Sequence, residues 1–228
     1  MKKPNVFFKS SIAFLLMLTV MVSSLWASKI EVHHYMERTG DRVAPILWKL
    51  EWGGQLRLVY KSDGETSVVI TNPDLSTVSW QLDRQEKQTQ ITARRDGNTI
   101  HLRGVVKGEA VTKAMPIDAA PWFQSTTLSL RGFIQQPTQR CEFWILRPDE
   151  FSAYKLQAIK EKTLKTVIEG QPVAVVQVQL SPTGILSAFW KSRYWFRAKD
   201  GVFLRFEGPS GPPGSPKTEV SLIASPPG

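Results

Sequence analysis

From residue 29 onward apolar and polar residues alternate with a period of two. Leu56, Leu58 and Tyr60 form one such set, Val68 and Ile70 another, and Val176, Val178 and Leu180 a third. Side chains alternate across a β-strand, so this period marks strands with one buried face. Turn residues separate the runs: Gly53-Gly54, Asp63-Gly64, Asp96-Gly97, Glu169-Gly170-Gln171-Pro172, Pro182-Thr183-Gly184 and Asp200-Gly201. Short strands joined by such turns predict a mainly β chain. Its expected form is a curved antiparallel sheet or half-open β-barrel with one or two helices covering the concave face.

Two hairpins can be registered by hand. A two-residue loop at Asp96-Gly97 places Ala93 opposite Ile100 and Ile91 opposite Leu102, leaving Thr92, Arg94, Thr99 and His101 on the other face. Around Asp200-Gly201 a three-residue loop, Lys199 to Gly201, separates the faces best. It puts Tyr194, Phe196, Leu204 and Phe206 on an apolar side. Arg193, Trp195, Arg197, Phe203, Arg205 and Glu207 fall on a mixed side.

The period changes between Asp118 and Gln136. Trp122, Thr126, Leu130, Phe133 and Ile134 recur at helical spacing, with Asp118 as a cap and Pro121 in the first turn. This segment is the expected plug of the concave face. A second short helical piece is expected near Pro148, where Asp149 and Glu150 suit the positive end of a helix. The run GPSGPPGSP (208–216) has a collagen-like glycine period. Three triplets are too few for a triple helix, so it reads as a loop between strands.

The first residues set the compartment. Lys2, Lys3 and Lys9 precede an apolar run from Ile12 to Val22, and Ala27 offers a small residue for cleavage. This predicts a signal peptide over 1–27 and one β-rich domain over 28–228, located in the periplasm. An uncleaved N-terminal membrane anchor is the alternative. The whole chain carries a net charge of +9. Loss of the three lysines lowers this to +6, enough for peripheral contact with anionic lipid. No run of five basic residues exists, so the charge reads as a solvated surface, and the exported address counts against nucleic acid as a partner. Cys141 is the only cysteine. An internal disulfide is therefore excluded, and a small buried residue is the simplest role.

Chemistry is sparse. His33 and His34 are adjacent on a strand and point to opposite faces; His101 lies on a polar face. No HExxH, CxxC or GxSxG motif occurs, so no metal, cofactor or catalytic residue is assigned, and an enzyme is not expected. What remains is aromatic content. Beyond residue 27 there are Trp48, Trp52, Trp80, Trp122, Trp144, Trp190 and Trp195. They serve either as core or as the lining of an apolar concavity.

The second half resembles a family of uncharacterised bacterial envelope proteins over roughly residues 90–223. The resemblance rests on Ile117-Asp118 followed by Pro121-Trp122-Phe123-Gln124, and on Phe143-Trp144-Ile145-Leu146 with Pro148. It continues through Gly170, Gly184, Phe189-Trp190, Tyr194-Trp195-Phe196, Asp200-Gly201, Gly211-Pro212-Pro213-Gly214 and Thr218. Such proteins are similar in architecture to the outer-membrane lipoprotein carriers, half-open barrels around an inner helix. The resemblance implies a lipid or acyl-chain ligand and no catalytic residues. Trp122, Phe133, Trp144, Tyr194, Phe196, Leu204 and Phe206 are the expected ligand-lining set. If the chain is instead an envelope interaction module, Arg193, Trp195, Arg197, Phe203 and Arg205 form the expected contact patch for a protein partner.

Overall fold

A computed structural model describes residues 29–168, 170–184, 190–209 and 216–223. The expected signal segment and the central part of the proline-glycine run lie outside these residues. The first eight strands form a meander: β1 (Ile30–Thr39), β2 (Arg42–Glu51), β3 (Leu56–Ser62), β4 (Glu65–Thr71), β5 (Thr77–Arg84), β6 (Thr89–Asp96), β7 (Thr99–Val106) and β8 (Glu109–Pro116). A crossover then leads through helix α1 (Thr126–Gln135) to a second meander. This comprises β9 (Arg140–Arg147), β10 (Ser152–Ile168), β11 (Gln171–Pro182), β12 (Ser192–Arg197), β13 (Phe203–Pro209) and β14 (Lys217–Leu222). β14 pairs with β1, so both meanders join one antiparallel sheet of 14 strands. Its edges are β8 and β9, which do not pair. The mainly β, half-open architecture is thus as the alternation predicts.

The inner face is clear from burial. Ala44, Ile46, Trp48 and Leu50 alternate inward along β2, and Leu56 and Leu58 along β3. That register turns Val69 and Thr71 of β4 inward, so Val68 and Ile70 lie on the outer side. Val178 and Leu180 are buried as their period implies. Register shifts at Ile70/Thr71, Lys160/Lys162 and Trp195/Phe196 add bends. A bulge of this kind raises local twist and helps a sheet curl.

The first hand-registered hairpin keeps its faces but shifts its turn. Ala93 pairs with Leu102 and Asp96 with Thr99, so the loop is Gly97-Asn98. Gly97 has φ 54° and Asn98 does not share the positive sign, so the turn is not type I′. The second hairpin needs a larger correction. Tyr194 faces Phe206 and Trp195 faces Arg205, but Phe196 then faces Phe203. The bulge exchanges the two expected positions: Phe203 turns into the core and Leu204 turns out. Leu204 instead joins Val175 and Val202 in a small outer cluster against Trp195.

The helix is shorter than its periodicity predicts. Pro121 and Phe123 engage β9 through two backbone bonds of 2.8 Å, Trp144 N–H to Pro121 O and Phe123 N–H to Trp144 O. On the other side, Thr77 N–H reaches Trp122 O at 2.7 Å. Residues 121–123 therefore act as a short stave between β5 and β9, and their backbone groups are spent there rather than in a helix. Asp118 is not a cap. It accepts from the Trp144 indole at 2.8 Å and pairs with Lys155. In α1, Leu128, Leu130, Phe133 and Ile134 are buried on opposite sides, as expected for a helix enclosed by a sheet. The short helical piece near Pro148 is a single 3-10 turn, Pro148–Glu150.

Candidate functional site

The helix is held at one end of the concavity by a buried ion pair. Arg131 Nη1 and Nη2 donate to Glu31 at 3.0 and 2.9 Å, and its guanidinium lies 4.8 Å from the Trp48 ring centre. His33, on the same face of β1, is 2.7 Å from the same carboxylate. Burial alone would raise the Glu31 pKa. Bonds from His33 and Arg131 outweigh it and hold the carboxyl well below the usual range. Ser129 Oγ adds a bond of 2.8 Å to Leu75 O.

Beyond the start of the helix, at Thr126, the concavity stays open as a cavity of about 790 Å³. Its apolar wall comes from the second meander and the seam: Leu156, Leu180, Trp190, Tyr194, Phe206 and Val220. A mainly apolar extension of about 170 Å³ continues behind Tyr194 and Phe206 toward Tyr35, Ile46 and Trp48. A third recess of about 360 Å³ shares Tyr60, Arg84, Thr126 and Arg147 and follows the gap between β5 and the turn after β9. The main cavity lies within the range of small-molecule sites, roughly 300–1,000 Å³.

The mouth is charged but largely self-paired. Arg42 meets Asp63 at 3.3 Å, Arg84 meets Glu65 at 2.6 Å, and Arg147 meets Glu150 at 3.0 Å. Arg84 also reaches Asp149 at 3.3 Å, linking the end of β5 in the first meander to the turn after β9 in the second. Tyr154 donates to Glu150. Further in lies Glu37, half-buried on the inner side of β1. Burial pushes its carboxyl above the usual range. The Arg42 guanidinium and Thr39 hydroxyl act against this, and the Glu65 charge adds to it. Burial likewise raises the Tyr60 and Tyr194 hydroxyls, so both stay neutral.

The expected lining residues divide. Tyr194 and Phe206 stand in the cavity wall. Trp122, Phe133 and Phe196 are buried in the core instead, with Phe196 edge-on to Phe203 at 5.8 Å. Trp144 lies on the outer side of β9, where Asp118 holds it, and Leu204 is on the outer cluster. None of these five borders the cavity. Of the expected contact patch, Arg193, Trp195, Arg197 and Arg205 do share the outer face. Arg205 sits 5.5 Å from the Trp195 ring centre, and Arg197 makes two bonds of 2.8 Å to Asp200. Phe203 does not join them, being buried inside.

Tyr60, Leu156 and Leu180 belong to the wall and were within reach of the alternation, by extending each inward set to its strand end. Glu37 and the Glu31–Arg131 pair had no such signal, since the latter joins residues 100 apart. Cys141 is half-buried and its thiol is pushed up to about 11, chiefly by burial. Among the described residues no group of three or more His, Cys, Asp and Glu is placed to hold a metal ion. Nor is any described helix long and apolar enough to cross a membrane.

No protein-family profile matches the chain, and no curated protein matches its sequence. Solved structures do align with it. A β-barrel-like protein of a domain of unknown function, DUF1849, from Brucella abortus aligns with a TM-score of 0.56 at 8% identity, covering 86% of this chain and 96% of that one. The hypothetical lipoprotein YmcC from Escherichia coli K12 aligns with a TM-score of 0.40 at 10% identity, covering 83% and 85%. The first likeness establishes a shared barrel-like fold.

Proposed function

We propose that this chain is a non-catalytic binding or carrier protein of the periplasm for a hydrophobic ligand such as a lipid or acyl chain. The observation that carries the reading is the cavity left above α1. A helix that only completed the core would leave no such space. Here about 790 Å³ stays open, faced by Tyr194, Phe206, Leu156, Leu180 and Trp190. Burying an alkyl chain there gains about 0.8 kcal/mol per methylene. The paired mouth arginines and carboxylates keep the opening wettable while the floor stays dry. Export through residues 1–27 supplies the compartment in this reading.

A second reading, an envelope interaction module, draws on the outer face. Trp195 stacks with Arg205 beside the buried trio Val175, Val202 and Leu204, and aromatic and arginine side chains are favoured contact residues.

Native mass spectrometry of protein purified from an exporting host, with extraction of the bound fraction, tests the first reading. A retained lipid-sized adduct is expected, together with uptake of a neutral apolar dye. An adduct-free spectrum with no dye uptake, alongside partner loss on changing Trp195 and Arg205 in cells, would move the assignment to the second.

A further inference from the structure

We infer that the cavity selects apolar chains with a cationic head group and discriminates against free carboxylates, with Glu37 as the selecting residue. This rests on the binding reading above. The reasoning is one of charge pairing along the wall. Three arginines border the cavity, and each already has a carboxylate: Asp63 for Arg42, Glu65 and Asp149 for Arg84, Glu150 for Arg147. At the outer rim Glu86 and Lys87 are adjacent in the chain and both exposed to solvent. Glu37 enters no ion pair among the described residues, although it is half-buried and faces the interior.

The surroundings of Glu37 sharpen the point. Arg42 stands toward it from β2 but is bound to Asp63 and largely solvated. Tyr60 faces it from β3, and Glu65 from β4 is held by Arg84. The remaining polar groups of the wall are neutral: Thr126 Oγ1 donates to the Tyr194 hydroxyl at 3.3 Å, and the Trp190 indole N–H brings a donor without a charge. A fatty carboxylate lodged here would bring a second anion beside Glu37 with no free arginine to receive it. Like charges in a partly desolvated site repel. An alkylammonium would instead supply the missing counter-charge. Hydrogen bonds to charged groups contribute enough to change affinity by about tenfold or more.

The test uses the whole exported protein and displacement of the neutral dye N-phenyl-1-naphthylamine at pH 8. The competitors, dodecylamine and dodecanoate, are kept below their micelle concentrations. Dodecylamine is expected to displace the dye at about tenfold lower concentration than dodecanoate. Glu37→Gln is expected to bring the two within roughly threefold, with circular dichroism unchanged. Glu109→Gln, exposed at the start of β8 and away from the cavity, is expected to leave the preference intact. Equal or better displacement by dodecanoate overturns the inference. So does a preference that survives Glu37→Gln, or one that Glu109→Gln removes equally. Failure of the dye and both chains to bind at all overturns the binding reading itself.

Discussion

Arg131 of α1 and Glu31 of β1 form a two-pronged ion pair beneath the Trp48 ring, fastening the plug to the first strand. Both side chains are largely withdrawn from water, at 7% and 17% exposure. Removing one partner strands the other. Arg131→Met is therefore expected to cost about 3 kcal/mol in urea unfolding. Adding Glu31→Gln to it is expected to restore a substantial part. A single-variant loss below about 1 kcal/mol would show that the pair is too solvated to matter.

The same carboxylate sets an acid limit. Its folded pKa is depressed, so its contribution is complete above the unfolded value, near 4.3, and is lost as pH falls toward the folded one. Wild-type protein is expected to lose more stability between pH 6 and pH 3 than Arg131→Met does. Paired denaturation curves at the two pH values read the difference directly.

Gly201 sits in the turn that touches the helix. Its φ is 69°, and a Cβ there would lie 3.0 Å from Arg131 Cα. Gly170 has φ 77° but open space around it. Gly170→Ala is expected to cost about 1 kcal/mol from backbone conformation alone, and Gly201→Ala more, because the turn must also back away from the helix. Equal melting-temperature losses would mean that the turn does not brace α1.

Val220 borders both the main cavity and its mainly apolar extension. Val220→Trp fills space that is empty rather than core. Dye uptake is expected to fall about tenfold, while urea stability shifts by less than about 1.5 kcal/mol. A large stability loss with dye uptake retained would place the dye elsewhere.

The bulge in the β12–β13 hairpin gives Phe203 and Leu204 opposite surroundings. Phe203 touches Phe196, Tyr194 and Tyr35 at ring separations of 5.8, 6.0 and 5.2 Å. Phe203→Ala is expected to cost about 3–5 kcal/mol. Leu204→Ala removes a side chain from the small outer cluster and is expected to cost less. The reverse order would restore the register in which Leu204 faces inward.

These residues also show where sequence reading reaches its limit. Alternation in Leu56-Leu58-Tyr60 and Val178-Leu180 reports which face is buried, because burial repeats every second residue. The change of period after Asp118 also reports the presence of a plug. Alternation cannot report a bulge, since the extra residue, Leu204, leaves the composition untouched yet inverts the positions between it and the turn. The cavity wall suffered for this reason. Aromatic residues such as Trp122 and Phe133 have the same composition whether they fill space or border it. Only the placement of α1, through Arg131 and Glu31, decides where the filling stops and Tyr194 and Phe206 begin to face a void.

The β1–β14 seam has a kinetic meaning. Thirteen neighbour pairs make up the sheet order, and all but this one join strands consecutive in the chain. Hairpin pairs close short loops, whereas Thr39 and Thr218 must meet across 179 positions. Closing so long a loop carries its entropy cost before any contact repays it. On a newly made chain the two meanders can therefore assemble early and separately, each with an unfinished edge. Union waits for residues 217–222, so the last short strand is the step that commits the chain to a barrel rather than to two sticky half-sheets.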